Sequence, residues 1–250
     1  MGGPSFSPSS YRSSTTSYSP RKSIERDHLE NVQVSHIRRS GDPENRPINR
    51  GVISTDSPNP VIIAFDDTGS MGSWVDEFYK RAPMFFGRLV LQNYLADPAL
   101  SFIAVGDQTC DDEGLQVTPF ARGDEIDDHL QSLFIEKGGG GGIKESYELA
   151  AYFGANKTDF TSKLDAKPLF FFFGDESFYE TIPQSRAKVV FGDDLQSKLK
   201  SSDVFDDLMN KFDVYAIRRP YQSSSHERDI RDMWENTLGK EKVVMLSDPG

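Results

Sequence analysis

Apolar and polar positions alternate in blocks that predict strands and helices in turn. The clearest block is the continuous apolar run 61–65, which is typical of a strand buried on both faces. Further strands are predicted at 101–105, 115–120, 169–173, 214–217 and 243–246, and helices at 74–90, 124–134, 145–153, 195–209 and 227–238. Pro83 is expected to kink or restart the first helix. Alternating strands and helices predict an α/β fold: a three-layer, doubly wound, Rossmann-like and mainly parallel sheet with helices on both faces.

The first 58 residues differ in composition from the rest of the chain. They are rich in Ser, Pro and Arg and contain few aliphatic side chains. Such a segment buries too little apolar surface to offset the entropy lost on ordering. We therefore predict a flexible tail over 1–58 and one folded domain over 59–250.

Charge and cysteine content narrow the class of function. The 250 residues include 28 Lys and Arg against 39 Asp and Glu, which gives a net charge of −11 and argues against nucleic-acid binding. One cysteine, Cys110, fits a reducing compartment, so we expect a cytoplasmic protein. No apolar run approaches the ~20 residues that span a bilayer, so no membrane partner is expected.

Polar side chains that directly follow apolar strands are the candidates for chemistry, because ligands of open α/β sheets bind beyond the carboxyl ends of the strands. Asp66, Thr68 and Ser70 alternate after the first strand, and Asp175 follows the phenylalanine-rich strand. Their hard oxygen atoms suit Mg²⁺, with Mn²⁺ or Ca²⁺ as alternatives. Zinc ligands such as His or Cys are missing nearby. A second interpretation is a turn in which Thr68 and Ser70 cap the next helix.

The stretch 65–72, Phe-Asp-Asp-Thr-Gly-Ser-Met-Gly, resembles the start of the metal-ion-dependent adhesion site of von Willebrand factor A (VWA) domains. It looks like the variant common in bacterial and phage members of that family. Asp175 matches the position of the family's later metal-associated Asp, and 138–149 is similar to its glycine-rich loop and following helix. The resemblance implies a VWA-type fold and a cation held at these residues.

The glycine-rich loop departs from the family pattern. The family usually supplies a further Thr or Asp from this loop, whereas here Gly142 stands at that place. Ser146 is a candidate substitute ligand, with water as the alternative. The five glycines 138–142 also fit an anion-binding turn or a plain linker.

The function implied by the resemblance is recognition rather than turnover. In this family the cation accepts an Asp or Glu carboxylate from a partner protein. Some bacterial members work beside AAA+ ATPases, so such an ATPase is a candidate partner. A metal-free scaffold on the same fold is a further alternative.

A phosphotransferase of the haloacid-dehalogenase type is the rival interpretation. Asp66 would then be the nucleophile, and Lys163 or Lys167 would balance the phosphate charge. Soluble phosphatases of that type carry a second acid two residues after the nucleophile, where this chain has Thr68. This difference favours the interaction module.

Three other segments are interpreted as structural. The acidic loop 107–114 is predicted to be solvated or to form a rim that influences partner choice. The pair Arg218 and Arg219 is predicted to lie in a solvated turn. The phenylalanine run 170–173 is predicted to be core.

Overall fold

The computed structural model describes residues 51–111, 114–133 and 142–246. In chain order its strands are β1 (Ile53–Thr55), β2 (Asn59–Asp66), β3 (Pro98–Val105), β4 (Leu115–Val117), β5 (Lys144–Glu145), β6 (Thr158–Phe160), β7 (Leu169–Gly174), β8 (Ser177–Phe178), β9 (Thr181–Ile182), β10 (Leu199–Lys200), β11 (Asp213–Arg218) and β12 (Val243–Met245). Its helices are α1 (Ser73–Leu91), α2 (Glu125–Ser132), α3 (Tyr147–Asn156), α4 (Gln184–Phe191), α5 (Ser201–Lys211) and α6 (Ser224–Leu238), with a 3₁₀ turn at Lys240–Lys242.

A six-stranded sheet forms the centre of the fold, in the order β12-β11-β7-β2-β3-β4. All neighbouring strands in it are parallel except β4, which runs antiparallel to β3. Strand β2 lies in the interior of the sheet, and all eight of its residues are buried. The predicted α/β fold with a mainly parallel sheet is confirmed.

Helices cover both faces of the sheet, which explains why β2 has no polar alternation. Ile62 and Ala64 pack with apolar residues of α3, α5 and α6, whereas Val61, Ile63 and Phe65 pack with those of α1 and α2. Successive side chains of a strand point to opposite faces, so one apolar run contributes to two cores. None of the helices in the described part of the chain is both long and apolar enough to cross a membrane.

Several element boundaries differ from the sequence prediction. Helix α1 continues through Pro83, whose ring is buried, so the predicted restart is wrong. Burial of one helix face outweighs the single hydrogen bond that proline removes. Helix α3 begins two residues later than predicted, because Glu145 belongs to β5. Helix α5 begins six residues later than the predicted helix at 195, because β10 first pairs with β9.

The sequence prediction missed α4, β1 and the short strands β5, β6, β8, β9 and β10. Helix α4 was not predicted, and Ala187, Val190 and Phe191 bury it against the core. Strand β1 pairs in parallel with β6, and its first residue, Ile53, lies in the core with 6% exposure. The folded part therefore begins before the predicted boundary at residue 59, while 1–50 of the predicted tail lie outside the described residues.

The sheet order brings the candidate chemistry to one edge. Asp66 ends β2 and stands in register with Val105 of β3, while Phe65 stands in register with Phe173 of β7. Because these three parallel strands end at the same edge, the residues that follow each of them meet there. Asp66 occupies the middle of that edge.

Candidate metal centre

The Asp66 carboxylate organises the turn that follows β2. Its Oδ1 accepts hydrogen bonds from the Thr68 backbone N–H at 2.8 Å and from the Thr68 hydroxyl at 2.6 Å. Asp66 is 1% exposed and Thr68 is 3% exposed. An Asp side chain that bonds the backbone two residues later is a common turn device, and it places the hydroxyl beside the carboxylate.

A line of oxygen atoms connects β2 to β7. The Thr68 hydroxyl oxygen lies 3.2 Å from that of Ser70, and the Ser70 hydroxyl donates to Asp175 Oδ1 at 3.0 Å. Asp175 directly follows β7 and is 2% exposed. The structure thus brings together four of the five predicted site residues: Asp66, Thr68, Ser70 and Asp175.

The two hydroxyls have a geometry that suits a cation. Each hydroxyl has one hydrogen, and with both carboxylates ionised Thr68 donates its hydrogen to Asp66 and Ser70 donates its own to Asp175. The 3.2 Å contact between the two hydroxyl oxygens then brings lone pairs together. A cation bound by both oxygens would remove this repulsion.

Tyr147 and Gly174 fix the other side of Asp66. The Tyr147 hydroxyl donates to Asp66 Oδ2 at 3.1 Å and is fully buried at the start of α3. A Cβ atom at Gly174 would lie 1.7 Å from the Tyr147 hydroxyl oxygen and 3.0 Å from Asp66 Cβ. Only glycine therefore allows β7 to end this close to the Asp66 side chain.

Two arginines hold the Asp175 side of the site. The Arg218 guanidinium donates to the Asp175 backbone oxygen at 2.9 Å and pairs with Glu227 at 3.1 Å. Arg219 Nη1 donates to the Ser70 backbone oxygen at 2.6 Å and lies 3.8 Å from Asp175 Oδ2. Arg218 is 2% exposed, so the predicted solvated turn is wrong. The arginines are drawn inward because they neutralise carboxylates and backbone oxygens at the end of the sheet.

Burial makes the two central carboxylates hard to ionise. Desolvation, followed by repulsion from Asp175, raises the pKa of Asp66 to about 7, against hydrogen bonds from Thr68 and Tyr147 that lower it. Desolvation also raises the pKa of Asp175, although the Ser70 hydrogen bond and the charges of Arg219 and Arg218 oppose it. A bound divalent cation would favour both ionised forms.

Ser146, the fifth predicted site residue, makes a different contact. Its hydroxyl accepts a hydrogen bond from the Gln108 backbone N–H at 3.0 Å, and its own N–H donates to the Gly106 oxygen at 3.0 Å. It thus ties the start of α3 to the loop after β3 and stands apart from the four-residue oxygen line. The glycines 138–141 lie outside the described residues.

Three further buried acids surround the site, and the sequence analysis did not assign them to it. Glu145, Glu176 and Asp107 are 2%, 6% and 4% exposed. The charges of Glu176 and Asp107 act on Glu145, and desolvation with repulsion from Asp66 raises the pKa of Glu176 to about 8. The solvated-loop prediction is therefore wrong for Asp107. Its position two residues after the end of β3 was the available signal, as the position of Asp66 at the end of β2 was for that residue.

Asp107 repeats the turn made by Asp66. Its Oδ1 accepts from the Thr109 backbone N–H at 2.8 Å and from the Thr109 hydroxyl at 2.7 Å, and its Oδ2 accepts from Tyr179 at 2.8 Å. Desolvation by itself would raise the pKa of Asp107, but these hydrogen bonds together outweigh it, and the pKa is lowered. Asp107 therefore stays ionised beside the candidate centre.

The donor set fits a hard cation that keeps part of its water. Two carboxylates and two hydroxyls supply oxygen atoms of the kind that Mg²⁺, Mn²⁺ and Ca²⁺ prefer. Within 51–111, 114–133 and 142–246, no three His, Cys, Asp or Glu side chains converge closely enough to hold a metal by themselves. The hydroxyls of Thr68 and Ser70, together with water, must therefore complete the coordination of any cation bound here.

Comparison with known proteins gives likeness in structure only. No family model and no curated protein matches the sequence. The pilus adhesin SpaC from Lactobacillus rhamnosus GG is similar with a TM-score of 0.53 and 10% identity over 80% of this chain and 30% of its own. Proximal thread matrix protein 1 from the mussel byssus, solved with a zinc-occupied MIDAS motif, is similar with a TM-score of 0.51 and 10% identity over 80% of this chain and 45% of its own.

The chain therefore spans less than half the length of these two solved proteins. At this level of identity the likeness concerns the fold, and the predicted bacterial or phage type stays a prediction. The described part of the chain has a VWA-like α/β fold with a central, mainly parallel sheet.

Proposed function

We propose that this chain is a divalent-cation-dependent protein interaction module. Its cation, Mg²⁺ in the first instance, is held by Asp66, Thr68 and Ser70 with the help of Asp175. The main support is the oxygen line from β2 to β7, in which, with both carboxylates ionised, both hydroxyls donate to them and turn lone pairs toward each other. Mn²⁺ and Ca²⁺ use the same donors, so they are expected to bind as well.

A divalent cation at this place supplies a coordination position that a carboxylate of a partner protein can fill. Arg219 favours the same kind of partner group, because its guanidinium lies at the edge of the site with 21% of its side chain exposed. It packs 5.8 Å over the Trp74 ring and is held by the Ser70 oxygen. An anionic side chain would therefore meet positive charge from the cation and from Arg219.

The structural neighbours support this choice by analogy. One is a pilus adhesin, and another binds zinc in its MIDAS motif. The partner proposed here is a protein that presents an exposed Asp or Glu, and the sequence resemblance adds an AAA+ ATPase as a candidate. The net charge of −11 makes a nucleic-acid partner unfavourable.

Binding is favoured over phosphoryl transfer by the position of the available groups. Lys167, one of the lysines that the phosphotransferase interpretation needs, precedes β7 and donates to the Met209 oxygen. Six strand residues at ~3.3 Å each separate that end of β7 from the Asp66 edge, a span of about 20 Å. Thr68, in the place of the second acid, donates its hydroxyl hydrogen to Asp66.

Binding of paired peptides tests this function. Peptides that contain one Asp or Glu, and matched peptides with Asn or Gln, would be titrated into the full chain in Mg²⁺ and in EDTA. We expect binding of the acidic peptides in Mg²⁺ only, and its loss in Asp66→Asn. Asp165→Asn is the matched control, since Asp165 accepts from Asn59 at the opposite end of β2. Equal binding of acidic and amide peptides, or equal binding in EDTA, would contradict the proposed function.

A further inference from the structure

Glu145 lies over the carboxyl end of β2. Its strand, β5, pairs in parallel with β8, which follows β7. The next residue, Ser146, donates its N–H to the oxygen of Gly106, which follows β3. Because β2 lies between β7 and β3 in the sheet, the two-residue strand β5 passes across the edge where Asp66 ends β2.

One oxygen of this side chain has no hydrogen-bond partner. Glu145 is 2% exposed, and its Oε2 is buried without a partner among the described residues. Its carboxyl group interacts with that of Glu176, but Oε2 receives no hydrogen bond from it. A buried carboxylate oxygen without a donor is costly, and a ligand, ion or water can satisfy it.

The charges around Glu145 favour a cation as that ligand. Desolvation is the largest influence that raises the pKa of Glu145, and four acidic groups, Asp66, Glu176, Asp111 and Asp107, add to it. Arg218 and Arg219 contact Asp175 at the other side of the centre. A cation on the Glu145 side would therefore favour the ionised form of this carboxyl group.

We propose that Glu145 is an additional, charge-supplying partner of the cation at Asp66, and that its Oε2 accepts a hydrogen bond from a cation-bound water. Contact through water fits the finding that no three acidic side chains in the described segments converge on one metal position. Glu145 thus supplies from β5 the polar group that Gly142 lacks. Glu145 can do so only if the cation site exists, so this inference rests on the proposed function.

Glu148 provides a matched control. It lies three residues later in the first turn of α3, is fully buried, and its Oε1 also has no hydrogen-bond partner among the described residues. Its other oxygen accepts from the Tyr179 backbone N–H at 3.2 Å. Desolvation is the largest influence on the pKa of Glu148, and Asp66 is not among the main ones. Replacing it removes a buried carboxyl group without touching the proposed water.

The test measures the Mn²⁺ affinity of the full chain by titration, with electron paramagnetic resonance as the readout. It compares wild type with Glu145→Gln, Glu145→Asp, Glu148→Gln and Asp66→Asn. Loss of a group that orients a metal-bound ligand commonly weakens metal binding by about 10–100-fold, and we expect this for Glu145→Gln. Glu145→Asp keeps the carboxylate and should lose less Mn²⁺ affinity than Glu145→Gln. The Mn²⁺ affinity of Glu148→Gln should stay within about 2-fold of wild type.

Thermal unfolding in EDTA separates this role from a purely structural one. Glu145→Gln replaces a buried acid that is costly to ionise with a neutral amide, so without metal it should be at least as stable as wild type while gaining less stability from Mn²⁺. Unchanged Mn²⁺ affinity in Glu145→Gln, with binding abolished in Asp66→Asn, would overturn the role of Glu145 and leave the proposed function standing. A wild type that binds no Mn²⁺ would overturn both.

Discussion

Replacing Gly174 by alanine tests how tightly β7 and Asp66 are fitted together. The new methyl group would lie 1.7 Å from the Tyr147 hydroxyl oxygen and 2.9 Å from its ring carbon Cζ. The ring cannot move aside easily, because it packs edge-on against Phe172 at 6.0 Å and Trp234 at 5.4 Å between centroids. The strand end or the Tyr147 side chain must shift, and the hydrogen bond from Tyr147 to Asp66 would be lost.

The expected loss of stability follows from two effects. Overpacking in a dense core costs about 1–3 kcal/mol. Loss of a hydrogen bond to a charged group costs about 1.5–3 kcal/mol. Since the two overlap at Gly174, we expect about 3 kcal/mol for Gly174→Ala. For a domain of this size that corresponds to a fall of about 6–12 °C in the melting temperature.

Urea unfolding in EDTA measures this loss without any contribution from metal. Gly142→Ala is the control, since its Cβ would meet only the Lys144 backbone nitrogen at 3.7 Å. In the double variant Gly174→Ala with Tyr147→Phe, the closest clashing atom is gone, so part of the loss should be recovered as a favourable coupling energy. A loss below about 1 kcal/mol in Gly174→Ala, or no coupling in the double variant, would refute this packing account.

Two further predictions concern buried charges. Desolvation raises the pKa of Glu148 from 4.5 to about 8, so the folded state binds the extra proton and wild-type stability in EDTA should fall as the pH rises from 4.5 to 8. Glu148→Gln should flatten this fall and stabilise the chain at pH 8 by about 1–3 kcal/mol, measured by urea unfolding across pH; an unchanged pH profile would contradict it. Arg218→Met should cost about 3–5 kcal/mol by the same measurement, because it leaves Glu227 without its buried partner. Arg231 is exposed, so Arg231→Met should change the free energy of unfolding by less than about 0.5 kcal/mol. Similar losses of stability in both variants would contradict the buried-pair interpretation.

The residues of the candidate site were predictable to the extent that they follow long apolar strands. The apolar run 61–65 identified an interior strand because only a strand covered on both faces is apolar without alternation. Parallel strands end at one edge, so Asp66 and Asp175 were expected at the same edge of the sheet once both strands were recognised. The alternate spacing of Thr68 and Ser70 after Asp66 then predicts that their hydroxyls belong to the same site.

Other residues at the same edge gave no such signal. Glu145 lies in a strand of two residues, which is too short for any periodicity. The pair Arg218 and Arg219 resembles a polar turn in sequence, and only the folded structure shows that its partners are Asp175, Ser70 and Glu227. Contacts between residues distant in the chain depend on sheet order, and one sequence does not determine that order by pattern alone.

The most direct test of the central claim is the melting temperature of wild type, Asp66→Asn and Asp165→Asn in EDTA and in saturating Mg²⁺. A ligand at 100 times its Kd stabilises the fold by about 2.7 kcal/mol, or about 5–11 °C for a domain of this size. We predict this rise in wild type and in Asp165→Asn, with Mn²⁺ or Ca²⁺ giving a comparable effect, and no rise in Asp66→Asn. Equal melting temperatures of wild type in EDTA and in every cation, or an undiminished rise in Asp66→Asn, would contradict a cation site at the end of β2.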